Sequence, residues 1–449
     1  MDEMNFIDTA LALAKDKKFV EMRKLFENEN PVDIALLLGE LPEAQMPVVF
    51  RILPKELAAD TFAYIDSDEQ EVLIKAFSDK ELSDVIEELY LDDTVDMIEE
   101  MPASVVKRIL QNTPMEKRNL INQFLQYPKD SAGSIMTTEY VNLKRDMTVK
   151  DAFRKIRSTG VDKETIYTCY VTDENRVLLG LVTVRELLLK ESDTVICDIM
   201  ETNIVFARTH DDQEYVANLL GKYGFLAIPI VDGDNRLVGI VTVDDAIDVI
   251  QEEATEDIEK MAAMTPSEKP YMKTSIFSIF KNRIPWLLIL MISSTFTGYI
   301  ITSFESALAA SIVLTAFIPM LMDTGGNAGS QASVTVIRGI SLGEISFSDL
   351  LSVLWKEVRV SALVGVTLAV ANFAKLMLID RVDVLVAVVV CITIGVTVLI
   401  AKVIGCILPL ISKKLGFDPA VMSSPFITTI VDAISLFVYF TIASSLLGL

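Results

Sequence analysis

Histidine is nearly missing from this chain: there is one, His210, among 449 residues. Cysteine is scarce too, and Cys169, Cys197, Cys391 and Cys406 stand far apart with no CxxC pair. These shortages argue against a zinc or copper site of nitrogen and sulfur ligands, and against a disulfide framework. Any bound metal is expected to be a hard cation held by oxygen, and the cysteine usage fits a reducing compartment. The opening stretch, "MDEMNFIDTALALAKDKK", has no long apolar core, so no secretory leader is expected. Neither a P-loop nor a dinucleotide fingerprint nor a nucleophile–base pattern is present, so the chain is not expected to be an enzyme.

Positive charge is short in only one half. Of 40 Lys+Arg and 63 Asp+Glu, the residues from Ile284 onward hold eight and nine. The preceding residues hold 32 and 54, a net of −22 against −1. Such a division implies two solvents, water for the first half and lipid for the second. The acidic half repels nucleic acid and favours cations.

Residues 1–130 read as short amphipathic helices, among them "DIALLLGELP", "KELSDVIEELY" and "SVVKRILQNTP". Pro42, Pro54, Pro102 and Pro114 punctuate them, which predicts a small helical superhelix. The next stretch repeats itself, as residues 131–197 and 198–255. "YVTDENRVLLGLVTVRELL" returns as "PIVDGDNRLVGIVTVDDAI". Each copy is expected to hold a helix, a β-hairpin with an Asp-rich turn, and a second helix. This duplication resembles a tandem pair of CBS domains, an α+β Bateman module.

Residues 244–275 continue as a long connecting helix and linker. Asp244, Asp248, Glu252, Glu256 and Glu259 share a face of the helix, followed by Lys269, Lys273, Lys281 and Arg283. Like charges at this spacing weaken a helix, and a solvated acidic face is one reading.

Residues 276–449 hold five apolar spans, near 285–303, 307–322, 360–379, 384–411 and 424–447. The basic residues fall on one side, which places the N-terminal half in the cytoplasm and the C-terminus outside. The second span is short and runs into "DTGGN", read here as a break in the helix. Backbone freed at that depth must face protein or water. Asp432 lies inside the fifth span with Thr428, Thr429 and Ser435 at helical spacing and Pro425 one heptad earlier. A carboxylate there is costly unless it serves an ion path or is hydrogen-bonded to another helix.

Together, "IPMLMDTGGNAGSQ" and "DPAVMSSPFITTIVDAISLFVYF", with the order of the parts, resemble the MgtE family of magnesium channels. The resemblance implies a multidomain α-helical membrane protein of a bacterial cytoplasmic membrane, working as a homodimer with its pore on the two-fold axis. It implies that Asp432 binds the hydrated cation and that Pro319, Asn327, Pro425 and Thr428 line the pore. It further implies that the connecting helix is a plug, held shut by Mg²⁺ among Asp92, Asp93, Asp96, Asp244, Asp245, Asp248 and Glu252. Hydrated-ion recognition leaves Co²⁺, Mn²⁺ and Ni²⁺ as competing cargo. The CBS signature Gly-x-x-Thr-x-x-Asp, at Gly239, Thr242 and Asp245, points to ATP, with Thr183 and Glu186 in the first copy. Two other readings fit parts of the pattern: a nucleotide sensor merely tethered to the bilayer, and an ion-coupled transporter or exporter.

Overall fold

The computed structural model describes residues 3–267, 269, 271–422 and 424–448. It divides into two compact units, Met1–Ile250 and Gln251–Leu449.

The first unit opens with ten short helices, from α1 (Glu3–Lys15) to α10 (Met115–Phe124). Prolines set their edges: Pro102 and Pro114 stand directly before Ala103–Asn112 and α10, where no amide donor is needed. Phe50, Phe62 and Phe77 meet at centroid distances of 5.3–6.3 Å in the shared core. Arg108 crosses between helices to the carbonyl of Phe77 (2.6 Å) and the carboxylate of Asp79 (3.0 Å).

Two three-stranded sheets follow. In the first, β1 (Tyr140–Lys144) runs parallel to β2 (Thr165–Thr172), which pairs antiparallel with β3 (Leu178–Thr183). In the second, β4 (Ala207–Arg208), β5 (Ala227–Val231) and β6 (Leu237–Thr242) repeat that order. Helices α11 (Val149–Thr159) and α12 (Val184–Leu189) flank the first sheet, and α13 (Gln213–Tyr223) and α14 (Val243–Met261) the second. The sequence reading missed β1 and β4, which are short and carry little alternation.

The copies also exchange backbone. Thr137, ahead of β1, bonds Ile240 of β6 in both directions (2.8 and 2.9 Å), while Glu201 bonds Leu181 of β3 the same way (3.0 and 2.9 Å). Gly239 and Gly180 permit these crossings. A Cβ on Gly239 would stand 2.7 Å from the Thr137 carbonyl oxygen, and one on Gly180 would stand 2.9 Å from that of Glu201.

The second unit begins inside α14 and contains α15 (Ile276–Ser303), α16 (Glu305–Ala310), α17 (Ile318–Ser341), α18 (Leu350–Lys375), α19 (Val384–Lys414) and α20 (Ser424–Leu447). Among the described residues, four stretches are long and apolar enough to cross a membrane: Ile276–Ser303, Phe347–Asp380, Val384–Lys414 and Pro419–Leu447. Helix α19 is the most enclosed, with Val389, Val390, Val398 and Ala401 fully buried.

The expected break at "DTGGN" is not there. Helix α17 runs unbroken through it, and the irregular backbone lies earlier, in a 3₁₀ segment at Ile312–Phe317. Pro319 sits in the first turn of α17, marking a start rather than an end. The buried Tyr439 hydroxyl of α20 donates to the Leu314 carbonyl at 3.0 Å, so the irregular segment is covered by protein. The glycines serve close packing instead. A Cβ on Gly405 of α19 would stand 2.3 Å from the Gly329 carbonyl oxygen of α17, and one on Gly325 would stand 2.7 Å from Thr397.

Candidate ion-binding sites

Helix α17 has two unlike faces. Leu321, Gly325, Ala328, Gly329, Ala332 and Val336 are buried against the rest of the unit. Pro319, Asp323, Asn327, Gln331 and Thr335 are exposed at intervals of four, which stacks them along one stripe. The Asn327 side-chain amide donates to Asp323 at 3.0 Å, and the Thr335 hydroxyl donates to the Gln331 carbonyl at 2.8 Å. Because the helix is unbroken, Asn327 and Gln331 take part as side chains, not through freed carbonyls.

On α20, Asp432 is half-buried, and Asp323 is a charged group that bears on it electrostatically. Asp432 and the α17 stripe therefore belong to one acidic, amide-rich region. The hydroxyls expected beside Asp432 are used locally: those of Thr428 and Thr429 both donate to the Pro425 carbonyl at 2.9 Å. The methyl of Thr428 packs over Gly326, where a Cβ would come within 2.9 Å. Ser435 is buried, off any exposed stripe. Pro425 thus supplies a carbonyl that accepts two hydroxyls of its own helix.

The first unit gathers acids from distant parts of the chain. Asp92 opens the helix Leu91–Glu100 and is 6% exposed, its carboxylate accepting the Asp93 amide at 3.1 Å. Burial, then Asp245 and Asp93, hold its carboxyl well above the usual range. Asp93 is pushed up to about 6 by burial and then by Asp245. Glu164, in the loop before β2, is pushed up to about 8 by burial, Asp245, Asp93 and Asp244. Asp245 is raised too, by burial and by Asp244, while the Thr242 hydroxyl donates to its carboxylate.

Lys117 faces this group. Its ammonium donates to the Ile86 carbonyl at 2.6 Å, and burial lowers its pKa despite Glu139, Asp92 and Asp93. Asp96, Asp244 and Asp248 are exposed, and Asp248 feels Asp244. Glu252 is exposed on the part of α14 that belongs to the second unit. Among the described residues, no three His, Cys, Asp or Glu side chains are grouped closely enough to hold a bare metal ion. Sequence reasoning did not single out Glu164 or Lys117. Neither shows a motif, and only the fold brings them to Asp92.

The nucleotide signatures double as helix caps. Thr183 and Glu186 form a reciprocal capping box on α12, with the Glu186 carboxylate 3.0 Å from the Thr183 amide. Asp245 of the second signature is shared with the acidic group. His210 is exposed and bonded to Thr209 (3.0 Å).

A third constellation, unforeseen, lies within the second unit, where it ties the end of α14 to the turn before α20 and to the end of α17. Lys260 pairs with Asp418 (2.6 Å) and with Glu256, and Asp418 also accepts the Ala420 amide (2.8 Å) ahead of α20. Asp257 accepts from Ser341, at the end of α17, at 3.2 Å. Burial and then Asp418 raise the Asp257 pKa. Nothing in the sequence marks Asp418 as the partner of Lys260, 158 residues earlier.

These features define a class: a multi-pass membrane protein with a helical domain and a duplicated α+β module on its N-terminal side. Family models match the "MgtE intracellular N domain" over residues 29–130, the CBS domain over 132–193 and 196–252, and the MgtE "divalent cation transporter" over 318–442. The magnesium transporter MgtE of Thermus thermophilus is 35% identical over 434 residues, covering 95% of both chains. That of Bacillus subtilis is 33% identical over 435 residues, 97% of this chain and 96% of the relative. The solved cytosolic domain of the Mg²⁺ channel MgtE in complex with ATP is 36% identical, with a TM-score of 0.51. It covers 54% of this chain and 99% of its own. The chain belongs to the MgtE family of divalent cation transporters. It is a transport protein with a cytosolic N-terminal part and is not an enzyme.

Proposed function

We propose that two copies of this chain form a Mg²⁺ channel in a bacterial cytoplasmic membrane, conducting Mg²⁺ inward down its gradient. The observation that carries this reading is the exposed stripe Pro319–Asp323–Asn327–Gln331–Thr335 beside Asp432. Lipid solvates none of these polar groups, so the stripe needs water or a second copy against it. A two-fold axis along α17 and α20 supplies both, with paired Asp432 carboxylates accepting hydrogen bonds from the waters of hydrated Mg²⁺. Mg²⁺ sheds water reluctantly, which suits a path without direct ligands. The transporters in Thermus thermophilus and Bacillus subtilis support magnesium as the cargo.

Five crossings complete the topology: α15, the segment from α16 through α17, α18, α19 and α20, with the C-terminus outside. A tethered sensor requires neither Asp432 nor the stripe, which disfavours that alternative.

In this reading the cytosolic acids are the gate's sensor, with residues 1–130, 131–197 and 198–255 as its domains and 244–275 as the plug. Asp92, Asp93, Asp245 and Glu164 repel one another, with Asp96, Asp244, Asp248 and Glu252 nearby along the surface or helix. Cytosolic Mg²⁺ relieves the repulsion, compacts the first unit and favours the shut state, a population shift set by differential ion binding. The contacts of Lys260 and Asp257 pass the position of α14 to α17 and α20. ATP binds the CBS pair through Thr242 and Asp245 and through Thr183 and Glu186. A relative's cytosolic domain solved with ATP supports this assignment.

Mg²⁺ influx into proteoliposomes, with internal Mg²⁺ absent or millimolar, tests the whole reading. Influx that needs Asp432 and falls with Mg²⁺ on the cytosolic side supports a self-gated channel. Asp432→Ala conducting like the parent refutes it.

A further inference from the structure

The segment leading into α15 reverses the charge of everything before it. From Tyr271 to Arg283 the chain carries Lys273, Lys281 and Arg283 and no acidic residue. It follows a region whose net charge is strongly negative. All three basic side chains are exposed. Tyr271 and Met272 just before them, and Ile276, Phe277 and Phe280 between Lys273 and Lys281, are exposed as well, by 53% to 90%. The Phe277 and Phe280 rings lie 6.2 Å apart on the first turns of α15, whose start is capped by Ser275 accepting the Ser278 amide at 3.1 Å.

Such a surface suits neither water nor the hydrocarbon core. Large apolar side chains seek the acyl boundary, and the interleaved cations seek phosphate at the same depth. The same end of the second unit carries two more pairs of this kind. The Arg359 guanidinium lies 5.7 Å from the ring of exposed Trp355, and the Lys414 ammonium lies 3.9 Å from that of Phe347. Residues 271–283 follow the acidic N-terminal part directly along the chain. We propose that residues 271–283 bind anionic phospholipid head groups of the cytoplasmic leaflet, with Lys273, Lys281 and Arg283 on the phosphates and Phe277 and Phe280 among the upper acyl chains. A soluble polyanion is the poorer occupant, because it leaves five large apolar side chains in water.

The chain has two tryptophans, Trp286 and Trp355. Trp355→Phe therefore leaves Trp286, one turn beyond Arg283, as a single reporter. The full-length protein is reconstituted in phosphatidylcholine containing a fixed fraction of brominated phosphatidylglycerol or, separately, brominated phosphatidylcholine. A basic side chain at an anionic surface is worth about fivefold in binding. The anionic lipid is therefore expected to quench Trp286 as though bound about fivefold or more tightly than the neutral one. That preference should shrink when KCl rises from about 0.1 to about 1 M, as the screening length falls from roughly 10 to 3 Å. It should vanish in Lys273→Gln/Lys281→Gln/Arg283→Gln and survive in Lys356→Gln/Arg359→Gln. Unchanged quenching by the neutral lipid confirms that each variant is seated in the bilayer. Equal quenching by the two lipids in the parent, or a preference that outlives the triple substitution, overturns the proposal.

Discussion

The two units handle carboxylates in opposite ways. The first crowds Asp92, Asp93, Glu164 and Asp245 together around one lysine ammonium and raises the pKa of all four. The second spaces Asp323 and Asp432 on different helices and surrounds them with amides and backbone-bonded hydroxyls. Crowded acids store repulsion that a cation discharges, so occupancy changes shape. Sparse acids on a rigid helix face attract a hydrated cation without trapping it, so occupancy passes along. The first arrangement suits a sensor and the second a path. Substitutions that separate the two roles are the direct way to break this contrast.

The largest effect is expected at Asp432. A dipositive ion about 5 Å from a carboxylate is attracted by several kcal/mol at a near-surface dielectric. Asp432→Asn should cut Mg²⁺ influx at least about tenfold in proteoliposomes. Mg²⁺-dependent protection of the first unit from limited proteolysis should stay as in the parent. Loss of both would mean that the two acid groups are not independent. Next comes the cluster. Asp92→Asn/Asp93→Asn/Asp245→Asn removes both the repulsion and the cation's partners, so the response to Mg²⁺ should flatten. The concentration that half-protects the first unit should move by about tenfold or more, with the open-channel flux unchanged. A variant that closes at the parent's Mg²⁺ concentration would sink the sensor assignment.

How much of this was legible in the sequence depends on whether a signal was local. The duplicated "GLVTV" and "GIVTV" segments exposed the module because a repeat needs no tertiary context. Asp432 was legible because one carboxylate in an apolar run stands out. The "DTGGN" stretch misled for the reason that makes it informative: glycine weakens a helix in water, whereas here Gly325 and Gly326 leave room for side chains of neighbouring helices and Gly329 lies against the Ala401 carbonyl. The true irregularity, Ile312–Phe317, carries no glycine or proline and depends on Tyr439, more than a hundred residues away. Glu164 and Lys260 act only through partners that the fold delivers, so neither periodicity nor spacing marks them.

Proton and Mg²⁺ should compete at the cluster, and the sign follows from the raised pKa values. Carboxyls raised in the compact state bind protons more tightly there than in the loosened one. Their contribution to compactness is complete below the ordinary carboxylate range, near pH 4, and is lost as pH rises through about 6 for Asp93 and about 8 for Glu164. Without Mg²⁺, the first unit should therefore resist proteolysis at pH 5 and lose that resistance by pH 8. With Mg²⁺, resistance at pH 8 should return, and apparent Mg²⁺ affinity should rise several-fold to about tenfold between pH 6 and 8. In the triple Asn variant both trends should weaken together. A pH trend that survives it would assign the titration elsewhere.

The smallest effect tests the connection between the two behaviours. Lys260 meets Asp418 at 2.6 Å, and both side chains are partly exposed, so the pair is worth no more than about 1 kcal/mol. If that contact transmits the position of α14, Lys260→Ala should shift the Mg²⁺ concentration that halves the flux by roughly twofold to fivefold. Maximal influx and proteolytic protection of the first unit should be unaffected. The exchange Lys260→Asp/Asp418→Lys should restore much of the shift, because it rebuilds the ion pair with its polarity reversed. Restoration will be incomplete, since a lysine at 418 no longer accepts the Ala420 amide. If the single and exchanged variants shift equally, the pair is structural, and coupling between sensor and path must run through Asp257 and Ser341 instead.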